Sequence, residues 1–86
     1  MSDDPIWIKN VRDGLRFTQS EMANAMGLSL RAYQDIESGA SKLRGLDVLA
    51  AERVSLKHAI QLNNPMAATS TVRKDALELS RMIRGD

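Results

Sequence analysis

The chain has no cysteine and very few aromatic residues. Its 86 residues include one Trp, one Tyr and one Phe. Without cysteine, disulfides, thiol chemistry and thiolate metal sites are excluded, which is usual for proteins of a reducing compartment. Apolar residues make up 43% of the chain, so a core must consist mostly of Leu, Ile, Val, Met and Ala. That balance favours packed helices over strands, which are usually richer in β-branched and aromatic residues.

Long apolar runs and a strong net charge are also missing. The longest uninterrupted apolar run covers residues 48–51, too short for a membrane span or a signal-peptide core, so we expect a cytoplasmic protein. The net charge is +1, and composition alone does not indicate a nucleic-acid partner. Residues 9–44 nevertheless carry six positive and four negative charges, which leaves the rest of the chain slightly negative. A weakly basic patch in this segment is therefore compatible with DNA binding.

The spacing of apolar residues predicts an all-α single domain of five helices. Asp4 is expected to cap the first helix, with Pro5 at its first position. Helix two begins at Thr18 and ends at Gly27, and helix three runs from Ser29 to about residue 38. Helices four and five are expected at about 46–62 and 71–84. We divide the chain into a compact segment, 1–64, and a linker with a C-terminal helix, 65–86.

The second and third helices carry the clearest local signals. Thr18 and Glu21 have the spacing of a capping box, in which each side chain accepts a hydrogen bond from the other residue's backbone N–H. Gly27 stands where a left-handed residue ends the helix, and Ser29 is expected to cap the next one. On helix three, Tyr33 is predicted to pack inward with its hydroxyl at the surface. The opposite face is polar and is predicted to face solvent.

Helices four and five each have an apolar stripe. In helix four we expect an inner stripe formed by Leu46, Leu49, Ala50, Arg53, Leu56 and Ile60, with the arginine as the exception. Helix five has a stripe at residues 72, 76, 79 and 83, and Ser70 or Thr71 is expected to cap it. That stripe has two interpretations, because it suits either packing back onto the same chain or packing against a second copy. We favour the second copy, since four helices are sufficient for the core.

Residues 17–39 have the layout of a helix-turn-helix, with small Ala23 at the contact between helices, Gly27 in the turn and Leu28 filling the gap after it. Together with Thr18-Gln19 and Glu37-Ser38-Gly39, these residues resemble the helix-turn-helix of the lambda repressor and Cro family, also called XRE-type. The resemblance covers about residues 6–62. The fifth helix lies outside the match. The resemblance implies a compact, lambda-repressor-like helical domain that binds operator DNA, usually as a homodimer. It also implies that Arg12 forms a structural ion pair with Glu37.

The resemblance further implies which residues contact DNA. Gln19 would bind a phosphate or brace the first recognition residue. On helix three, Arg31 would read guanine and Gln34 would pair with adenine or a phosphate, while Leu30 would touch a thymine methyl. Ser29 and the loop residues would hold phosphates and set the register. The expected DNA-contacting set is Gln19, Ser29, Leu30, Arg31, Gln34, Ser41, Lys42 and Arg44.

The chain departs from the family pattern at three places. Leu30 stands where relatives often have a polar residue, Asp35 adds a negative charge beside the expected groove face, and Arg44-Gly45 replaces the usual proline in the loop. His58 is the only histidine and has no spaced metal-ligating or catalytic partners. We therefore expect neither an enzyme nor a metal or cofactor.

The sequence thus predicts a DNA-binding transcriptional regulator, in particular a repressor, that inserts the helix at 29–38 into the major groove of double-stranded DNA as a dimer. The alternative is a protein-interaction module on the same scaffold, or an antitoxin that binds both DNA and a toxin. The near-zero net charge, Asp35 and Leu30 favour that alternative.

Overall fold

The computed structural model describes residues 4–85. Within that range every regular secondary-structure element is a helix. Residues 1–3 and 86, at the ends of the two predicted segments, lie outside the described residues. The helices are listed here in chain order: α1 Asp4–Leu15, α2 Gln19–Met26, α3 Leu30–Ser38, α4 Gly45–Gln61, a short 3₁₀ helix Pro65–Ala67, and α5 Ser70–Arg84. The predicted all-α fold class is confirmed.

The connection between α2 and α3 is set by local capping. The Thr18 side chain accepts a hydrogen bond from Glu21 N, and the Glu21 carboxylate accepts one from Thr18 N, so the predicted capping box is present. Gly27 ends α2 with φ of 79°, in the left-handed region that disfavours a side chain. The Ser29 hydroxyl then caps α3 by accepting from Ala32 N. These caps fix where both helices begin and how the turn leaves α2.

The core lies among α1, α2, α3 and α4. Its fully buried side chains include Ile8, Leu15, Met22 and Tyr33, and partly buried Leu28 packs against them in the turn between α2 and α3. Phe17 and His58 make an edge contact with ring centroids 4.8 Å apart, which joins the α1–α2 loop to α4. His58 therefore has a packing role in this structure.

The predicted inner face of α4 is wrong. Leu46, Leu49 and Ile60 are 73%, 63% and 72% exposed, Arg53 is exposed, and Ala50 and Leu56 are only partly buried. The buried face is the opposite one, which consists of Asp47, Ala51, Val54, Ser55 and Ala59. The helix contacts α1 and α2, and smaller side chains at a contact permit a shorter distance between helices. The two buried polar residues have partners: Asp47 accepts from Arg44, and Ser55 accepts from Thr69 N.

The C-terminal helix is the least covered element. Thr69 caps α5 by accepting from Val72 N, one residue earlier than expected, and the predicted linker contains the 3₁₀ helix. None of the residues of α5 is buried, although its first turns pack on α4 and the 3₁₀ helix. No helix in the described range is long and apolar enough to cross a membrane.

Candidate nucleic-acid interface

The outward face of α3 is polar and open, as the sequence predicts. Tyr33 and Ile36 are buried and hold the helix against the core, whereas Leu30, Arg31 and Gln34 are exposed. Leu30 is 41% exposed and Arg31 has 85% of its side chain exposed. Because the anchoring and outward residues lie on opposite faces of one short helix, the core determines which side chains α3 presents.

A buried carboxylate stands behind this face. The Glu37 side chain is 7% exposed, and its Oε2 accepts from Arg12 Nε at 2.6 Å, so the ion pair implied by the resemblance is present. Arg12 Nη2 reaches the other oxygen at 3.2 Å, which makes the pair bidentate. Tyr33 Oη also donates to Glu37, so the expectation of a Tyr33 hydroxyl at the surface is wrong. Glu37 thus connects α1 to α3 inside the domain.

The hydrogen bonds to Glu37 decide its charge state. Burial by itself would raise the pKa of Glu37, but the hydrogen bonds from Arg12, Tyr33 and Gln19 outweigh it, and the pKa lies below its ordinary value. Burial and then the bond to Glu37 raise the pKa of Tyr33. Glu37 therefore remains a carboxylate and Tyr33 a phenol at neutral pH.

Gln19 links the buried carboxylate to the open face of α3. Its Nε2 donates to Glu37 Oε1 at 2.9 Å, and its Oε1 accepts from Gln34 Nε2 at 3.2 Å. Arg12 continues the network on the other side, where its Nη1 donates to Phe17 O at 2.9 Å and holds the loop before α2. Three helices therefore contribute to one hydrogen-bonded chain that ends at Gln34.

Arg31 is exposed but not free. Its Nε donates to Asp35 Oδ1 at 3.2 Å, one turn along the same helix face. Asp35 thereby holds the guanidinium along α3 and partly compensates its charge. An exposed pair of this kind is weak, roughly 0.3–0.5 kcal/mol, so a stronger acceptor can replace Asp35.

The loop after α3 is held at three points. Ser41 N donates to Asp35 O at 3.0 Å, and Leu43 is buried in the core. Arg44 Nε donates to Asp47 Oδ2 at 3.2 Å, and its guanidinium is therefore paired with the first turn of α4. Burial would raise the pKa of Asp47, but the hydrogen bonds from Arg44 outweigh it and lower that pKa. Lys42, between these points, is exposed.

The structure brings some of the expected residues together and separates others. Gln19 and Gln34 are in direct contact, and Ser29 and Ser41 lie at opposite ends of α3. Two contributors were missed in the sequence. Tyr33 precedes Glu37 by four residues, a helical spacing that places them side by side. Asp47 follows Arg44 by three residues, a spacing typical of a carboxylate at the N-terminus of a helix.

Comparison of the chain with models of known protein families, with curated proteins and with solved structures gave no match.

Proposed function

We propose that the protein is a sequence-specific DNA-binding regulator that inserts α3 into the major groove. The observation that carries the proposal is the orientation of α3: its apolar residues lock into the core, and Leu30, Arg31 and Gln34 project outward on one exposed face. A single helix fits the major groove of duplex DNA, where each base pair presents a distinct pattern of donors, acceptors and methyl groups. The assignment to the lambda repressor and Cro family remains part of this proposal.

The outward side chains suit different base edges. Arg31, released from Asp35, is able to donate two hydrogen bonds to guanine O6 and N7. Gln34 uses one amide hydrogen on Gln19, so the other and the carbonyl oxygen are available for adenine N7 and N6. Leu30 supplies apolar contact for a thymine methyl. The proposed readout therefore combines guanine, adenine and thymine within one half-site.

Phosphate contacts would come from the start of α2 and from the two ends of α3. Gln19 and Ser29 lie at or near the N-terminal ends of α2 and α3, where free backbone N–H groups favour anions. Ser41, Lys42 and Arg44 lie in the loop at the other end. Arg44 is tied to Asp47, so we assign the main phosphate contact of this loop to Lys42. Such contacts set the position on DNA without reading sequence.

A homodimer on a two-fold symmetric operator follows from this mode of binding. Dimers of helix-turn-helix proteins place two recognition helices about 34–36 Å apart, one turn of DNA. Occupation of an operator is sufficient to exclude polymerase, so repression in the cytoplasm is the proposed output.

The decisive experiment is selection of bound sequences from a pool of random duplexes, followed by footprinting of the enriched site. The proposal predicts one enriched motif with two-fold symmetry and protection on one face of the DNA. Failure to enrich any sequence at low salt would overturn it.

A protein-interaction role on the same scaffold is the second candidate. The observation that favours it is the weak charge of the open face, where Arg31 is paired with Asp35 and Leu30 is exposed. An antitoxin would combine this role with DNA binding. The selection experiment identifies a purely protein-binding module, because such a module enriches no DNA motif. An antitoxin enriches a motif and is identified by a second measurement, binding to a toxin encoded beside it.

A further inference from the structure

The C-terminal helix exposes an apolar surface that its own chain leaves open. Leu79, Met82 and Ile83 are 57%, 73% and 76% exposed, although they lie on adjacent turns of α5. A lone helix of about 15 residues is only marginally stable in water, and most helices are stabilised by packing of an apolar face. The outer half of α5 therefore requires a covering surface.

A second apolar surface lies on α4. Leu49 and Ile60 are exposed and Leu56 is half-buried, and together with Arg53 and Lys57 they form what we call the α4 outer face. Toward α5 this face continues into a groove of about 630 Å³ with a mainly apolar lining that includes Leu56, Ile60, Val72, Ala76 and Leu77. Contiguous apolar patches of this kind on a small protein mark interaction sites.

The two surfaces carry opposite charges. Arg53 and Lys57 lie among the apolar residues of the α4 outer face. Asp75 and Glu78 lie beside Leu79 and Met82 on α5, a set we call the α5 outer face. Within residues 4–85, none of these four charged side chains takes part in an ion pair or a hydrogen bond. Each outer face is thus apolar and carries charges without a partner in the described range. The charges are positive on α4 and negative on α5.

The chain does not bring these faces together by itself. Thr69 N donates to Ser55 Oγ at 3.3 Å, which holds the start of α5 against α4. Arg73 Nη1 donates to Ala68 O at 2.6 Å, which ties α5 to the segment just before it. From there the helix continues outward, and its second half remains exposed. The longest dimension of the molecule, 45 Å against 25 and 18 Å, is consistent with a projecting helix.

We propose that the α5 outer face of one copy packs on the α4 outer face of a second copy, with the reciprocal contact formed at the same time. Both complementary surfaces are present on one chain, so a two-fold dimer uses each of them twice and leaves neither exposed. Asp75 and Glu78 then face Arg53 and Lys57 of the second copy, which favours this register. This inference rests on the proposed function, because that function predicts a dimer. It adds which surfaces of the two copies are in contact.

Paired charge reversals test the contact without DNA. One variant carries Arg53→Glu and Lys57→Glu, and the other carries Asp75→Lys and Glu78→Lys. In sedimentation velocity the wild-type chain is expected to be a dimer, and each variant alone is expected to dimerise at least about tenfold more weakly, because like charges face each other. An equimolar mixture is expected to regain dimers, since both contacts of the mixed pair then join opposite charges.

Two controls keep this test specific. Lys9→Glu changes an exposed charge on α1 and should leave dimerisation unchanged, and circular dichroism shows whether each variant keeps its helices. A contact between two α5 helices alone would respond to the α5 reversal and not to the α4 reversal, which would overturn the proposal. Failure of the mixture to recover dimers would also overturn it.

The proposed dimer contact and the proposed DNA-binding function can fail independently of each other. A monomeric wild-type chain that still enriches a DNA motif overturns the dimer contact, leaves the regulator function intact and points to a different protein as the occupant of these faces. A dimer with the expected charge response that enriches no DNA overturns the regulator function alone.

Discussion

Gln19 Nε2 donates a hydrogen bond of 2.9 Å to Glu37 Oε1, and this contact fixes the orientation of the Gln19 amide. A carboxylate only accepts hydrogen bonds, so the NH₂ end of Gln19 must face inward and its oxygen must face outward. That oxygen meets Gln34 Nε2, which in turn orients the Gln34 amide. A charge in the interior therefore determines which atoms the protein offers on its surface.

Replacing Glu37 by Gln is expected to reduce the free energy of unfolding by about 1–3 kcal/mol, because Arg12 and Tyr33 lose their charged acceptor. Urea denaturation at neutral pH measures this change. Glu52→Gln is the matched control, since the Glu52 side chain makes no ion pair or hydrogen bond in the described range and lies outside both outer faces. Equal stability of the two variants would show that the Glu37 network does not stabilise the fold.

The same carboxylate makes stability depend on acid pH. The folded pKa of Glu37 lies below the ordinary 4.5, so the unfolded chain takes up the proton first as the pH falls. The contribution is complete above about pH 4.5 and is lost as the pH drops through the folded value. We expect thermal melts of the wild type to weaken below this pH and those of Glu37→Gln to weaken less. Parallel pH profiles for both proteins would contradict the assignment.

Gln19 and Gln34 are expected to act as a unit in DNA binding. Alanine at either position should weaken binding to the selected operator, and the double variant should lose less than the two single losses added together. The coupling is expected at about 0.5–3 kcal/mol, the range for residues in direct contact. A double-mutant cycle from binding isotherms measures it, and strictly additive losses would show that Gln19 does not orient Gln34.

Arg31→Ala is expected to relax the preference at one base step and to cost roughly 1–3 kcal/mol on the selected operator. Asp35→Asn keeps an acceptor oxygen beside Arg31 but removes its negative charge, and it should strengthen binding to all sequences because a negative charge near the phosphates is lost. Repeating the selection with each variant checks both outcomes. An unchanged motif for Arg31→Ala would show that Arg31 does not read a base.

Lys42→Ala is expected to weaken binding to every sequence alike and to lower the slope of log K against log salt by about one, as for loss of a single phosphate contact. Titrations at several salt concentrations measure the slope. Lys9→Ala, which removes an exposed lysine paired with Asp13 on α1, is the control and should leave the slope unchanged.

Ala23 is a small, buried residue of α2 at the position where the sequence predicts the contact with α3. Ala23 is 2% exposed, so Ala23→Leu is expected to destabilise the protein by about 1–3 kcal/mol through overpacking. Ala25→Leu places the same side chain on the exposed side of α2 and is the control. Equal effects in chemical denaturation would mean that the α2–α3 contact tolerates a larger side chain.

Local signals in the sequence predicted α2 and α3 well. The capping box at Thr18, the left-handed Gly27 and the Ser29 cap each involve residues only a few positions apart. Their hydrogen bonds depend on the local backbone conformation. The division of α3 into a buried side and an exposed side is also a local property, because it follows from the helical repeat. The ends of α4 and α5 were predicted to within about two residues for the same reason.

The inner face of α4 could not be predicted from the pattern. The helix has a stripe of large aliphatic residues at Leu46, Leu49 and Ile60 and an opposite stripe of smaller ones, and periodicity alone favoured the larger side chains. In the folded chain α4 contacts α1 and α2, and its buried side is the one with the smaller residues. The hydrogen bonds around Glu37 were likewise only partly predicted from the sequence, because they join residues of three helices that are distant along the chain.

By itself, the sequence determined the helical class, the caps of α2 and α3 and the face that α3 turns outward, because each depends on contacts between residues a few positions apart. Only the tertiary structure decided which side of α4 is buried, how Glu37 orients Gln19 and Gln34, and where α5 leaves apolar surface exposed. Those outcomes depend on the distances at which separate helices meet, and side-chain volumes and hydrogen bonds from several segments set these distances together.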